Sequence, residues 1–266
     1  MHLPPAVLHL VRTACIVESR SDRYAGYLAS VFRHRGWEAR FERWGAEEGT
    51  HGQSLRAWLA KEDPPFDFDT CMTRYLATVL YHEEDGRSVY GSEQAELVAR
   101  CFVEAMAATY YQAVGAGAQG SPSLQALCHK LAADEARHYT MFRRLLEELR
   151  REEGMRRLEA MRVVWRRLWA LDDEQILYAS YVVSGTHEPF VLTNESRKYR
   201  AMVMSLYRPV HVRFVGTLVA QVFGLPPPPQ SMDVLSGAAL RVLRPIGVPR
   251  FATGSASPLP NLGKRV

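Results

Sequence analysis

The sequence predicts an all-α chain: a four-helix bundle with additional helices and one long crossover. Helical periodicity runs through most of the 266 residues, and strand-like runs such as Tyr178 to Ser184 are too few to make a sheet. Two long periodic arms each divide at a turn, His34-Arg35-Gly36 and Gln119-Gly120-Ser121-Pro122, as antiparallel helical hairpins do. Between the arms, 53 residues separate His51 from Glu104, far more than a hairpin needs, so one connection crosses over.

The elements follow in order. A first helix is expected from about Pro5, proline being suited to a first turn, to about Phe32. A second runs from Trp37 to about Leu59 and ends before Asp63-Pro64-Pro65. A third, Asp69 to Tyr81, lies in the crossover around Tyr75 and closes in Glu83-Glu84-Asp85-Gly86-Arg87. Ser92 suits the N-cap of a helix to about Val114, followed by the glycine-rich stretch 115–120. Ser121-Pro122 opens a long helix through Glu153, stopped by Gly154. Further helices are expected around 156–183 and 197–223, and residues 1–224 read as one domain. Past Gly224, Pro226 to Pro229 and scattered Ser, Gly and Pro predict an extended or partly disordered tail over 225–266.

Composition narrows the classes. A hydrophobic content of 47% supplies a large core. The four cysteines, Cys15, Cys71, Cys101 and Cys128, have no C-x-x-C spacing, which predicts reduced core thiols and a cytoplasmic protein. The apolar start, Pro4 to Val11, is too short and too poorly flanked by positive charge for a signal peptide. No run of about 20 apolar residues predicts a membrane span. The net charge is +4, densest from Arg150 to Arg167 around Trp165. That stretch reads first as a solvated helix face with i,i+4 ion pairs, and second as a docking surface for an acidic partner. No nucleic-acid motif accompanies it.

The chemistry resides in two half-sites of nearly equal internal spacing. Glu18 stands 30 residues before Glu48 of Glu48-Gly-Thr-His51, and Glu104 stands 31 before Glu135 of Glu135-Ala-Arg-His138. Residues three apart share a helix face, so each Glu-x-x-His pair aims at one ion. A turn midway brings each lone glutamate level with its pair. With 20 Glu and 9 His, chance alone gives about 0.7 such pairs, so the pairs carry little and their conjunction with the spaced glutamates carries the assignment. Four carboxylates and two imidazoles at one depth of a bundle are the ligand set of a di-iron or di-manganese site in ferritin-like folds. Mixed oxygen and nitrogen donors suit a redox-active first-row metal better than magnesium or calcium.

These motifs also carry a resemblance. Trp44-Gly-Ala-Glu-Glu-Gly-Thr-His-Gly52 is similar to the W-x-A-E-E-x-x-H-G signature of the soluble acyl-acyl carrier protein desaturases. Ala133-Asp-Glu-Ala-Arg-His138 resembles that family's S-D-E-x-R-H, and Phe102-Val-Glu104 its F-Q-E. Glu18, six residues before Tyr24, matches the family's first ligand. The resemblance is strongest over 15–150. It implies two iron ions held by Glu18, Glu48, His51, Glu104, Glu135 and His138, with O₂ as co-substrate and a ferredoxin-like electron donor. It implies removal of two hydrogens from an acyl chain on acyl carrier protein. Asp134 would accept a hydrogen bond from a ligand histidine, and Trp44 would join that network. A homodimer is compatible with this reading. The chain departs from the family at Ala107, where threonine is usual three residues after the third glutamate, although Thr109 is near; it also has little sequence before the first ligand helix.

Other residues read as structural. His82, Glu83 and Glu84 belong to a solvent loop, and His129, His187 and His211 to the surface or to a satisfied core. Met106, Tyr110, Tyr111, Tyr139, Met141 and Phe142 have core spacing. The small residues Gly45, Gly52, Ala105, Ala107 and Ala108 serve either an apolar substrate or close helix packing. No Ser-His-Asp constellation, phosphate loop or dinucleotide fingerprint appears. Rivals that keep the metals are arylamine oxygenases, peroxide-reducing enzymes and iron stores. A non-catalytic helical partner of carrier protein is a third reading, against which the presence of all six ligand residues counts.

Overall fold

The computed structural model describes residues 3–79, 86–169 and 174–225, and among these it is all helical, with no strand. The helices are α1 (Pro5–Glu18), α2 (Ser21–Val31), α3 (Glu38–Glu62), α4 (Phe68–Thr78), α5 (Glu93–Gly117), α6 (Pro122–Glu153), α7 (Arg157–Trp169), α8 (Glu174–Val183), α9 (Leu192–Leu206) and α10 (Pro209–Val222). The all-α class read from the periodicity is what the structure shows, and its helical hairpins are the parts of a ferritin-like bundle.

Local chemistry sets most boundaries. Ser92 Oγ accepts from the Ala95 amide at 3.1 Å and Ser121 Oγ from the Leu124 amide at 3.4 Å, so both expected caps are formed. Gly154 ends α6 at φ +77°, a conformation glycine adopts without strain. Asp67 caps α4 through the Thr70 amide at 3.0 Å, and hydrogen bonds from the Thr70 hydroxyl and amide hold its carboxyl below the usual range.

Three elements differ from expectation. The first helix does not run unbroken to Phe32 but stops at Glu18 and resumes at Ser21. There the Ser19 amide and hydroxyl share the Cys15 carbonyl, and the Arg20 amide turns back to the Val17 carbonyl, a tightened last turn that ends the helix. The helix expected at 197–223 is two helices. Pro209 excludes the preceding residue from helical geometry, and Arg208 lies extended at φ −120°, ψ 163°. The first of these, α9, starts earlier than expected, at Leu192. The third helix, expected to reach Tyr81, ends at Thr78, where Val79 is extended at ψ 105°. The loop with His82, Glu83 and Glu84 and the tail from Pro226 lie outside the described residues.

The chain divides into two compact units. One holds α5, α6, α7 and α10. Here α5 and α6 form a hairpin closed by residues 118–121, while α7 and α10 lie against α5. At Gly115 an added Cβ would sit 3.0 Å from the Cys128 Cβ, so glycine sets how closely the hairpin closes. Leu97, Cys101, Leu124, Phe142 and Leu146 are fully buried in this unit.

The other unit holds α1 to α4, α8 and most of α9. The arm formed by α1 and α2 runs along α3, and α8 packs on α1 and α4. Tyr75 in the crossover helix joins Ile16, Val79, Tyr178 and Val182 in an aromatic-rich core, where the Tyr178 and Phe190 rings meet edge to face at 5.2 Å. His9 Nε2 lies 2.7 Å from Ser180 Oγ, and burial, aided by Arg12, lowers its pKa to about 4. A histidine charged more readily unfolded than folded contributes stability that is present above about pH 6.5 and lost as pH falls toward 4. Each pKa unit is worth about 1.4 kcal/mol. We therefore expect His9→Gln to flatten the fall in melting temperature across that window relative to the parent, and parallel curves would refute it.

Candidate metal centre

Each unit carries its own cluster of carboxylates and imidazole. In the unit with α3, Glu48 and His51 share one face of that helix, both buried, with His51 Nδ1 3.2 Å from Glu48 Oε2. Glu18 is the last residue of α1 and half-buried, and its carboxylate joins theirs, the three ligand atoms lying within 4.8 Å of one another. What brings α1 so close is Gly52. A Cβ there would stand 2.8 Å from the Ser19 amide nitrogen and hydroxyl and 3.0 Å from its Cα. The Cys15 thiol contacts the Gly52 carbonyl at 3.9 Å, so the C-terminal turn of α1 lies directly against α3.

In the other unit, α5 presents Glu104, and α6 presents Glu135 and His138 from one face. His138 Nδ1 lies 3.6 Å from Glu104 Oε2 and 3.7 Å from Glu135 Oε2. The three side chains are only 1–4% exposed. All six sequence-predicted ligand residues thus fall into two triads, each of two carboxylates and one imidazole.

The donor chemistry fits a metal. Two ligands on one first-row ion, each about 2.1 Å from it, lie about 3 Å apart, close to the separations seen within each triad. Buried carboxylates are costly without a compensating cation, and oxygen–nitrogen sets select iron or manganese over softer-ligand metals. The residues present suit a di-iron site.

The surrounding residues are placed as follows. Trp44 is buried one turn before Glu48. Asp134, half-buried beside Glu135, pairs with Arg137. Thr109, near the position where Ala107 replaces a threonine, donates its hydroxyl to the Ala105 carbonyl at 2.7 Å, an ordinary back-bond within α5. Tyr111, Tyr139 and Phe142 are buried, Met106, Tyr110 and Met141 half-buried. His129 and His187 are exposed, while buried His211 accepts from the Arg208 amide at 3.1 Å. The cysteines are free thiols, and burial raises the pKa of Cys15 and Cys128 to about 12, so they stay protonated. Sequence reasoning left the role of Gly52 open; a glycine inside a long helix, directly after a ligand histidine, was the available signal.

Residues 96–179 match the rubrerythrin family model, a segment that contains Glu104, Glu135 and His138. That match, over less than a third of the chain, together with the helical fold and the carboxylate–imidazole clusters, supports the ferritin-like di-iron superfamily. No curated protein and no solved structure matches the chain. No helix among the described residues is long and apolar enough to cross a membrane.

Proposed function

We propose that the triad Glu18, Glu48 and His51 and the triad Glu104, Glu135 and His138 hold iron, two ions in all, and that the protein is an O₂-dependent desaturase. The observation that carries this reading is the pair of carboxylate–imidazole triads at matched chain spacing, with Glu48 and His51 inside the desaturase-like Trp44 to Gly52 motif. Its substrate would be an acyl chain on acyl carrier protein, and its electrons would come from a ferredoxin-like donor. The balance is simple. One O₂, two donor electrons and two protons, together with the two hydrogens lost from adjacent carbons, give an olefin and two waters.

Iron held there would supply the redox chemistry of O₂. The chain's own part is different. Glu48, Glu104, Glu135 and both histidines, fully buried, fix ligand directions and keep bulk water away. Trp44 and Asp134 are assigned to orient the ligand histidines, with Asp134 accepting a ring N–H. Ala105 and Ala108, small and buried on α5 near Glu104, are the side chains assigned to face an apolar chain.

A second reading keeps the metals and changes the product. The rubrerythrin match and the alanine at 107 favour it: another ferritin-like di-iron oxidase, or an N-oxygenase acting on a small or carrier-bound substrate. Product mass separates the two. Iron-loaded protein incubated with O₂, reductant and saturated acyl carrier proteins should yield a product lighter by two hydrogens. A product heavier by one oxygen moves the assignment to an oxygenase, and unchanged substrate counts against the desaturase.

A further inference from the structure

Helix α7 has two apolar faces. It lies against α5, burying Ala160, Val163 and Val164. Its outer crest is also apolar: Leu158, Met161 and Trp165, at i, i+3 and i+7, are 72%, 57% and 62% exposed. Arg157 borders this stripe on one side, and Arg162 and Arg166 border it on the other, all exposed. Residues 150–167 contain seven arginines and three glutamates, a surplus equal to the +4 of the whole chain. Helix α7 itself carries Arg157, Arg162, Arg166 and Arg167 against Glu159 alone, so it is a basic helix.

We propose that α7 is an interfacial helix that seats the protein on an anionic lipid surface. A leucine, a methionine and a tryptophan on one face, edged by arginines, have the side-chain chemistry of helices that lie in the headgroup region. Tryptophan favours that boundary, where its ring is half in apolar surroundings. Arginine forks match lipid phosphates, and the Arg166 guanidinium rests 5.4 Å above the Tyr90 ring, which steadies it beside the stripe. A second copy is a poor occupant. A two-fold contact centred on the stripe would set α7 against α7 and arginine against arginine. A fluid bilayer moulds around a single convex helix without needing a matching groove. No residue of the proposed metal set lies on α7, so this inference stands apart from the desaturase reading.

The experiment is co-sedimentation of the full chain with phosphatidylcholine vesicles, with and without phosphatidylglycerol. Binding is expected only with the anionic lipid, weakening as salt rises, with a blue shift of tryptophan emission. Leu158→Ser with Met161→Ser and Trp165→Ser, or Arg157→Glu with Arg162→Glu, should each lower partition by about tenfold or more. These positions are exposed, and unchanged helicity by circular dichroism would show the variants fold. No binding to anionic vesicles, or equal binding by the variants, overturns the proposal. So does retention of an acidic carrier protein through this face when vesicles are not bound, or a dimer that the triple variant dissociates.

Discussion

Glu135→Gln is expected to abolish iron-dependent turnover and yet to raise the melting temperature of the metal-free protein. Glu135 is 1% exposed and shares its triad with Glu104 and His138. Without a cation, two carboxylates there repel each other and lack the solvation that water would give. Glutamine keeps the shape and removes one charge, so the metal-free variant should exceed the metal-free parent by about 1–3 kcal/mol. For a chain this long each kcal/mol is worth about 2–4 °C. Iron reverses the order. It offsets the buried charge in the parent and should stabilise it by several kcal/mol, whereas the variant loses an oxygen donor and gains less. Calorimetry with ferrous iron and with chelator measures all four states. Equal melting temperatures for metal-free and iron-loaded parent would refute a buried metal site. His138→Ala should likewise lose turnover, and full activity would remove it from the ligand set.

Two glycines on one helix give the second large effect. Ranked by helix propensity alone, alanine should improve both Gly49 and Gly52 by about 1 kcal/mol. At Gly49 an added Cβ meets nothing within 4 Å, so Gly49→Ala should show that gain. At Gly52 the Cβ would meet backbone atoms of Ser19 at 2.8 and 3.0 Å. Backbone cannot rotate aside as a side chain can, so α1 must move away from α3. We expect Gly52→Ala to lose about 1–3 kcal/mol and to weaken iron uptake, because Glu18 directly precedes the displaced residue. Denaturant melts of the two variants side by side decide the matter, and similar stabilities would mean that α1 does not rest on Gly52.

Most of the helical order was legible because its signals are local. Ser92, Ser121 and Gly154 act within a few residues of where they stand, and the structure shows them at the expected ends of α5 and α6. The three-residue spacing within each Glu-x-x-His is equally local, and each pair sits on one helix face. The break after Glu18 was not legible: no proline or glycine marks it, and Ser19 there packs against Gly52, a residue distant in sequence. The proline at 209 did announce a boundary; reading 197–223 as one helix gave its constraint on Arg208 too little weight. The two triads were legible from six residues, whereas product and substrate depend on surroundings that periodicity does not encode.

The turn at 118–121 has a kinetic consequence. It joins α5 to α6 over so few residues that Glu104 and the Glu135–His138 pair belong to one short-range hairpin, closed at little entropic expense. Local hairpins of this kind form early and quickly. Three donors would then be in register before more remote segments of the chain settle, and metal capture would complete folding rather than begin it.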